Sequence, residues 1–275
     1  MTEFELLARH IYRPEQLLVD YSPNPARRMS LTQQQSESIE SRWQQRLALA
    51  HAQGRRLYDG PLFRLVAVEP RSDGMLHLKL GDVGYKEYTA TRDDEVERNR
   101  PQFERANPLS VCGAVETSDG YILLEQRPMT GVHAGRYHTP GGFIDREMDM
   151  HNGHIDLFGA MRRELREETG IQEDDIREQY CLGVAYDLLL PHPELAFVLR
   201  LNIPLDEVLR RKPEDNEIEH LLTLRATPED VRDFLVSNRG RISPTGEPTL
   251  LLYGGYTFGE SWYDDAMRRC IAKAE

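Results

Sequence analysis

The pattern of apolar and polar positions changes period several times along the chain, and each change marks an element. Residues Phe63-Arg64-Leu65 and Leu76-His77-Leu78-Lys79-Leu80 alternate with the two-residue period of a half-buried strand. They flank Ser72-Asp73-Gly74, which predicts a hairpin. Ahead of it, after an initial apolar segment and the loop Tyr21-Ser22-Pro23-Asn24-Pro25, a stripe of Ile39, Trp43, Leu47 and Ala50 has helical spacing. Ser30-Leu31-Thr32-Gln33 has the S-x-x-Q form of a capping box, so this helix is expected to open there and to stop by Gly54. A second hairpin is expected from Val111 to Glu116 and from Tyr121 to Arg127, around Ser118-Asp119-Gly120. Leu157, Met161 and Leu165 then recur every four residues, preceded by Asp156 as N-cap and followed by Gly170, which suits a left-handed helix end. Strands are expected around 183–186, 196–202 and 218–224, and a helix over 227–237. This mixture of strands and helices predicts an α+β fold. The charged stretch from Arg92 to Arg105 runs into Asn107-Pro108, where the division between residues 1–107 and 108–275 is placed.

Composition narrows the class. A chain of 275 residues can bury a substantial core in one large domain or two small ones. It has no run of apolar residues long enough to span a membrane, and its first residues lack the basic and apolar regions of a signal peptide, so a cytoplasmic location is expected. The formal net charge of -12 argues against a surface that coats nucleic acid. Short basic clusters such as Arg55-Arg56 and Arg210-Arg211-Lys212 read as solvated faces. Cys112, Cys181 and Cys270 are odd in number and far apart, which suits neither a metal site nor a disulfide framework.

The candidate chemistry lies in Arg163-Glu164-Leu165-Arg166-Glu167-Glu168-Thr169-Gly170-Ile171. Glu164, Glu167 and Glu168 stand at i, i+3 and i+4, so they project from one face of one helical turn. Like charges at these spacings repel, and Glu167 and Glu168 also meet the negative end of the helix dipole. A hard divalent cation removes both penalties, because Mg²⁺ takes oxygen ligands from carboxylates and from substrate phosphates. Alone, R-E-x-x-E-E reads equally well as a solvated helix end.

Context decides between the two. Upstream stands Gly135-Arg136-Tyr137-His138-Thr139-Pro140-Gly141-Gly142, and together the two segments resemble the Nudix hydrolase signature, in which an aromatic-x-x-P-G-G stretch leads to R-E-U-x-E-E-x-G-U, with U aliphatic. The chain departs from that family in one respect. The family's acid six residues after the second glycine is replaced by Met148, beside Glu147, and Arg163 comes about seven residues late. The surplus falls around Met148 to His154, where Asn152-Gly153 reads as a turn, so it should lengthen the loop and spare the helix. His151 and His154 in that loop are read as solvated. The front half, with a Trp-bearing helix, Phe-Arg-Leu and Gly-Tyr-Lys-Glu-Tyr-Thr-Ala-Thr, is similar to the animal Nudix subfamily that hydrolyses UDP-glucose and UDP-galactose.

The resemblance implies a Nudix α/β/α sandwich with an additional N-terminal α+β module for substrate recognition. It implies hydrolysis of a nucleotide sugar's diphosphate bond with Mg²⁺, or Mn²⁺ in its place, UDP-glucose giving UMP and glucose 1-phosphate. Glu164, Glu167 and Glu168 would hold the metal, with the Gly142 carbonyl as an extra ligand. Arg163 would orient the glutamates, and Glu217 or Glu219 would act as the base. Tyr85, Tyr88 and Tyr137 offer stacking surfaces, and Arg127 and Arg136 offer phosphate contacts. Two other readings stay open: a Nudix pyrophosphatase for ADP-ribose, a dinucleotide or a coenzyme A derivative, and a sensor that binds a nucleotide sugar without cleaving it. Neither nucleic acid nor a membrane is an expected partner, and the oligomeric state is left open.

Overall fold

The computed structural model describes residues 2–54, 56–93, 100–129, 132–214 and 221–272. The chain opens with β1 (Phe4–Tyr12) and β2 (Leu17–Tyr21), followed by helix α1 (Gln33–Ala52). The predicted hairpin forms as β3 (Pro61–Pro70) and β4 (Leu76–Gly84), and Tyr85–Asp93 continues as helix α2. Strands β5 (Ser110–Glu116) and β6 (Tyr121–Gln126) form the second hairpin. Short strands β7 (Tyr137–His138), β8 (Gly141–Phe143), β9 (Met150–His151) and β10 (His154–Ile155) lead to helix α3 (Leu157–Thr169). After it come β11 (Ile176–Asp187), β12 (His192–Leu201), α4 (Leu205–Val208), β13 (Leu221–Arg225), α5 (Pro228–Ser237), α6 (Gly246–Phe258) and α7 (Glu260–Ala272).

The main sheet has the order β1-β11-β12-β5-β6-β13, with β8 on β5 and β7 on β6; β12 and β5 are parallel. A second sheet, β2-β4-β3, comes wholly from the first 107 residues. The two are not separate bodies. Leu65 N donates to Asn107 O at 2.9 Å and Leu109 N to Phe63 O at 2.8 Å. One apolar cluster runs from Phe63, Leu65, Leu78 and Leu80 through Val111 and Leu195 to Met161 and Leu165 of α3. Full burial of side chains of this size is worth about 1.5–3 kcal/mol each, so this cluster binds N-terminal sheet, main sheet and α3 together. A second cluster lies on the other face of the main sheet, where Ala114, Ala196 and Val198 meet α5, α6 and α7. Among the described residues, no helix is long and apolar enough to cross a membrane.

Several expectations shift. The capping box belongs to Thr32 and Gln35: Thr32 Oγ1 accepts from Gln35 N, and Gln35 Oε1 accepts from Thr32 N, so α1 starts two residues later than Ser30 would place it. Ile39, Trp43 and Ala50 are buried as the stripe requires. The strand expected at 183–186 extends over Ile176–Asp187 because both its edges are paired, to β1 and to β12. The strand expected at 218–224 is Leu221–Arg225 within the described residues. The inserted Asn152-Gly153 does make a turn. Its residues have φ of 53° and 78°, and it joins β9 to β10, leaving α3 intact with His151 and His154 exposed across from each other.

Candidate active site

Helix α3 is built as its sequence demands. Asp156 Oδ1 accepts from Gly159 N at 2.7 Å, Leu157, Met161 and Leu165 are buried, and Gly170 ends the helix at φ 76°. The core contacts fix the helix rotation and bring the glutamates up against β8. Gly141 N donates to Glu168 Oε2 at 2.9 Å. A Cβ on Gly141, whose φ is 155°, would lie 2.1 Å from Val111 O, and one on Gly142 would lie 2.5 Å from Glu164 Oε2. The paired glycines are therefore needed so that the backbone can lie against both the neighbouring strand and the Glu164 carboxylate.

Arg163 gathers the acids. Its Nη1 donates to Glu164 Oε1 at 2.8 Å and to Glu167 Oε2 at 2.9 Å, so two carboxylates converge on one nitrogen. Its Nε and Nη2 grip Asp149 at 2.8 and 2.7 Å, and Nη2 also reaches Phe143 O at 3.2 Å. Burial alone would lower the Arg163 pKa, but the hydrogen bonds and charges of Asp149, Glu164 and Glu167 outweigh it and raise it further above its usual range. Asp149 itself is 4% exposed and also accepts from Asp145 N. The acid that the sequence lacks at Met148 is thus supplied by the next residue. The signal was in the sequence, one position from where the family spacing places it.

These groups border a cavity of about 530 Å³. Its lining includes Gly142, Arg163, Glu164 and Glu167, together with Arg127, His133, His192, Ser110, Glu194 and Thr245. Arg56, Leu62, Tyr85 and Tyr88 come from the N-terminal half. Arg56, read from sequence as part of a solvated cluster, is exposed but stands at this cavity. Arg127 has its Nε buried without a hydrogen-bond partner, 3.5 Å from Glu125. His133 Nε2 contacts Asp187, a carboxylate of zero exposure that also accepts from Leu189 N and Leu190 N. His133, His192 and Glu194 were not singled out in the sequence, because lone histidines and a lone glutamate near apolar runs carry no spacing signal.

Tyr137 and Arg136 do not reach the cavity. Tyr137 packs edge-on against Phe234 and receives Arg241 Nη2, on the second cluster's side of the sheet. Arg136 is taken up by Glu3 and the Ile242 carbonyl. Tyr88 lines the cavity but is 1% exposed, wedged with Met29, Leu62, Val83 and Ala106 and touching Phe143 and His192 edge-on. Tyr85, half-buried beside it, keeps more of its ring accessible. Glu217 and Glu219 lie outside the described residues. Among the described residues, no three His, Cys, Asp or Glu side chains form a ready metal cluster. Glu164 and Glu167 are instead drawn to Arg163, and Glu168 to Gly141 N. By donor chemistry the set still fits a hard cation: the groups are carboxylate oxygens of Glu164, Glu167 and Glu168, and the single charge of Arg163 does not balance the three.

The NUDIX domain family model matches residues 106–244, just over half of the chain, and the chain belongs to this family. It is a Nudix hydrolase, of a family that acts on small-molecule substrates with divalent metals. Solved structures similar to it include a protein of Deinococcus radiodurans at 19% identity, with 69% of this chain and 99% of that one covered and a TM-score of 0.41. A NUDIX hydrolase from Nitrosomonas europaea shares 18% identity over 55% of this chain and 90% of its own, with a TM-score of 0.38. A bifunctional NMN adenylyltransferase/ADP ribose pyrophosphatase from Francisella tularensis, complexed with AMP and a manganese ion, shares 16% identity over 56% of this chain and 42% of its own, also at 0.38. No curated protein sequence matches the chain.

Proposed function

We propose that the protein hydrolyses the diphosphate of a nucleotide sugar, with UDP-glucose or UDP-galactose as substrate, yielding UMP and the sugar 1-phosphate. The observation that carries this reading is the shared cavity: Glu164 and Glu167 of α3 line it together with Arg56, Leu62, Tyr85 and Tyr88 of the N-terminal half. A nucleotide sugar has a reacting diphosphate between two groups that need recognition, and a cavity lined from both halves can hold both. In this reading Glu164, Glu167 and Glu168 would hold Mg²⁺, or Mn²⁺ in its place, with the Gly142 carbonyl as an extra ligand. A divalent ion held there would supply charge neutralisation for the phosphates and Lewis acidity toward water near neutral pH. Arg163 keeps the carboxylates together, Arg127 and Arg56 meet phosphate oxygens, and Tyr85 offers a stacking face. Residues 1–107 act as the recognition module and 108–275 as the hydrolase. Glu217 and Glu219 remain the candidates for the base that deprotonates the water. Cys112, Cys181 and Cys270 are all buried and in the thiol form, which suits a reducing compartment such as the cytosol.

The test is a substrate panel of UDP-glucose, UDP-galactose, ADP-ribose, a dinucleotide and a coenzyme A derivative, run in Mg²⁺ and in EDTA, with products resolved by chromatography. UMP and glucose 1-phosphate should appear from UDP-glucose, and only with metal. Glu168→Gln should lower kcat by orders of magnitude while melting like wild type. A much higher kcat/KM for ADP-ribose would replace the substrate. Full activity in EDTA would remove the metal-based reading, and tight binding without cleavage would make the protein a sensor.

A further inference from the structure

Glu194 is a carboxylate in the wrong place for metal chemistry. In the main sheet it stands opposite Ser110 on β5, and Ser110 stands opposite Phe143 on β8. The next rung is Leu195, Val111 and Gly142. Directly opposed residues share a face and successive rungs alternate. Val111 and Leu195 belong to the cluster that holds α3, and the side of Gly142 where a Cβ would stand faces Glu164. Glu194, Ser110 and Phe143 therefore point to the opposite face, away from the α3 glutamates, although Glu194, Glu164 and Glu167 all border the same cavity.

Around Glu194 the buried groups are polar and incompletely paired. Glu194 is 3% exposed, and its Oε2 has no hydrogen-bond partner. His138 Nε2 lies 3.9 Å from Glu194 Oε1 and is itself unpartnered. Burial first, then the charges of Arg127, His133 and His192, hold the His138 imidazole well below its usual pKa, so it is neutral and gives Glu194 no cation to pair with. Its ring is fixed from behind by Ser243 Oγ at 2.5 Å, which also accepts from Gly246 N at 3.0 Å. The buried Cys112 thiol is also near, within hydrogen-bond reach of Glu194 as well as of Thr139 and Thr249, and its pKa is raised by burial and by Glu194. A buried acceptor facing a cavity without a partner calls for an explanation, and a ligand donor supplies one.

We propose that Glu194 is a specificity-determining residue whose carboxylate accepts a hydrogen bond from a neutral donor of the substrate, on the part of the molecule remote from the reacting phosphates. The donor is a sugar hydroxyl or a nucleobase N–H. An anionic group would be repelled here, so the phosphates belong on the side of Arg163 and the α3 glutamates. The inference rests on the enzyme's acting on a nucleoside diphosphate derivative, but not on which one.

The test uses whichever nucleoside diphosphate derivative the wild-type protein cleaves fastest in Mg²⁺, so failure on UDP-glucose alone overturns the substrate proposed above and leaves Glu194 testable. Glu194→Gln replaces one acceptor oxygen by a donor, and should lower kcat/KM on the order of tenfold to a hundredfold, through KM. Analogues lacking single sugar hydroxyls, and one methylated at the base N–H, distinguish the two donor sources. The analogue missing the true donor should cost wild type a similar factor and Glu194→Gln almost nothing. An unchanged KM in the variant, or a fall in kcat equal for all substrates, overturns the proposal. If the variant melts far below wild type, the analogue series on wild type decides: no analogue changing KM by more than about twofold overturns it equally.

Discussion

Asp149→Asn tests the organisation of the site at its most concentrated point. Asp149 accepts from Arg163 at 2.8 and 2.7 Å and from Asp145 N at 2.8 Å, and the Asp149 and Arg163 side chains are 3% and 12% exposed. Breaking a buried ion pair costs about 3–5 kcal/mol when a charge is left stranded. Arg163 would not be stranded, since Glu164 and Glu167 still hold its Nη1. The loss should therefore be close to that of one hydrogen bond to a charged group, about 1.5–3 kcal/mol. Asparagine also turns an amide N–H₂ toward the guanidinium, which shifts the arginine and, with it, the two glutamates held on its Nη1. We expect a destabilisation of about 2 kcal/mol, read as a lower denaturant midpoint at unchanged slope, with kcat falling more than KM rises. Asp149→Ala should be worse, because the Asp145 N–H also loses its acceptor. A variant within about 0.5 kcal/mol of wild type and fully active would show that Asp149 neither anchors Arg163 nor stands in for the missing acid of the Nudix signature.

Gly142→Ala places a methyl 2.5 Å from Glu164 Oε2, and should lower kcat at least tenfold (about 1.4 kcal/mol) with little change in melting temperature; unchanged kcat would mean that Glu164 is not needed where it stands. Glu247, on the first turn of α6, has its pKa raised by burial, against the lowering charges of Arg239 and Arg136. A raised folded value means that its favourable contribution is present below the ordinary glutamate pKa and lost as pH rises through the folded one. Glu247→Gln should therefore melt like wild type in acid and above it at neutral pH, and a melting difference independent of pH would refute the assignment. Tyr88→Ala should cost about 3–5 kcal/mol of stability, whereas Tyr85→Ala should raise KM with kcat retained; equal melting losses would make both residues packing alone.

The sequence showed the site's frame more clearly than its contents. The α3 signals were local: an N-cap, a four-residue apolar repeat, a terminal glycine and three acids on one turn, and each acts within a helical turn of itself. β1 was harder to see because Phe4, Ala8 and Tyr12, its buried residues, recur every four positions and imitate a helix. Register shifts between Leu6 and Ala8 and between Arg9 and Tyr12 break the strand's two-residue period. Helix α6 left no amphipathic trace since Gly246 through Gly254 are buried on all sides. Its Gly254 is required by a residue in the following helix: a Cβ there would lie 2.0 Å from the Trp262 ring. Glu194, His133 and His192 acquire meaning only from cross-strand neighbours, which no spacing along the chain encodes. Tyr137 and Arg136 were misplaced for the complementary reason. They sit in the signature segment, yet the contacts with Phe234 and Glu3 hold them away from the cavity.

The N-terminal half is joined to the chemistry by structure at two depths. At the surface of the cavity it contributes Arg56, Leu62, Tyr85 and Tyr88. Beneath, β1 pairs along β11 from Asp187 to Cys181, and Asp187 is the buried acid that contacts His133 and takes the N–H groups of Leu189 and Leu190. The turn between β11 and β12 is thereby held from the side of β1, and that turn delivers His192 and Glu194 to the cavity. Helix α3 rests on the same continuous core as β3 and β4. The elements that position the α3 glutamates and those that deliver His192 and Glu194 therefore share their support with residues 1–107, so the recognition assigned to that half and the hydrolysis assigned to the other depend on one packed unit.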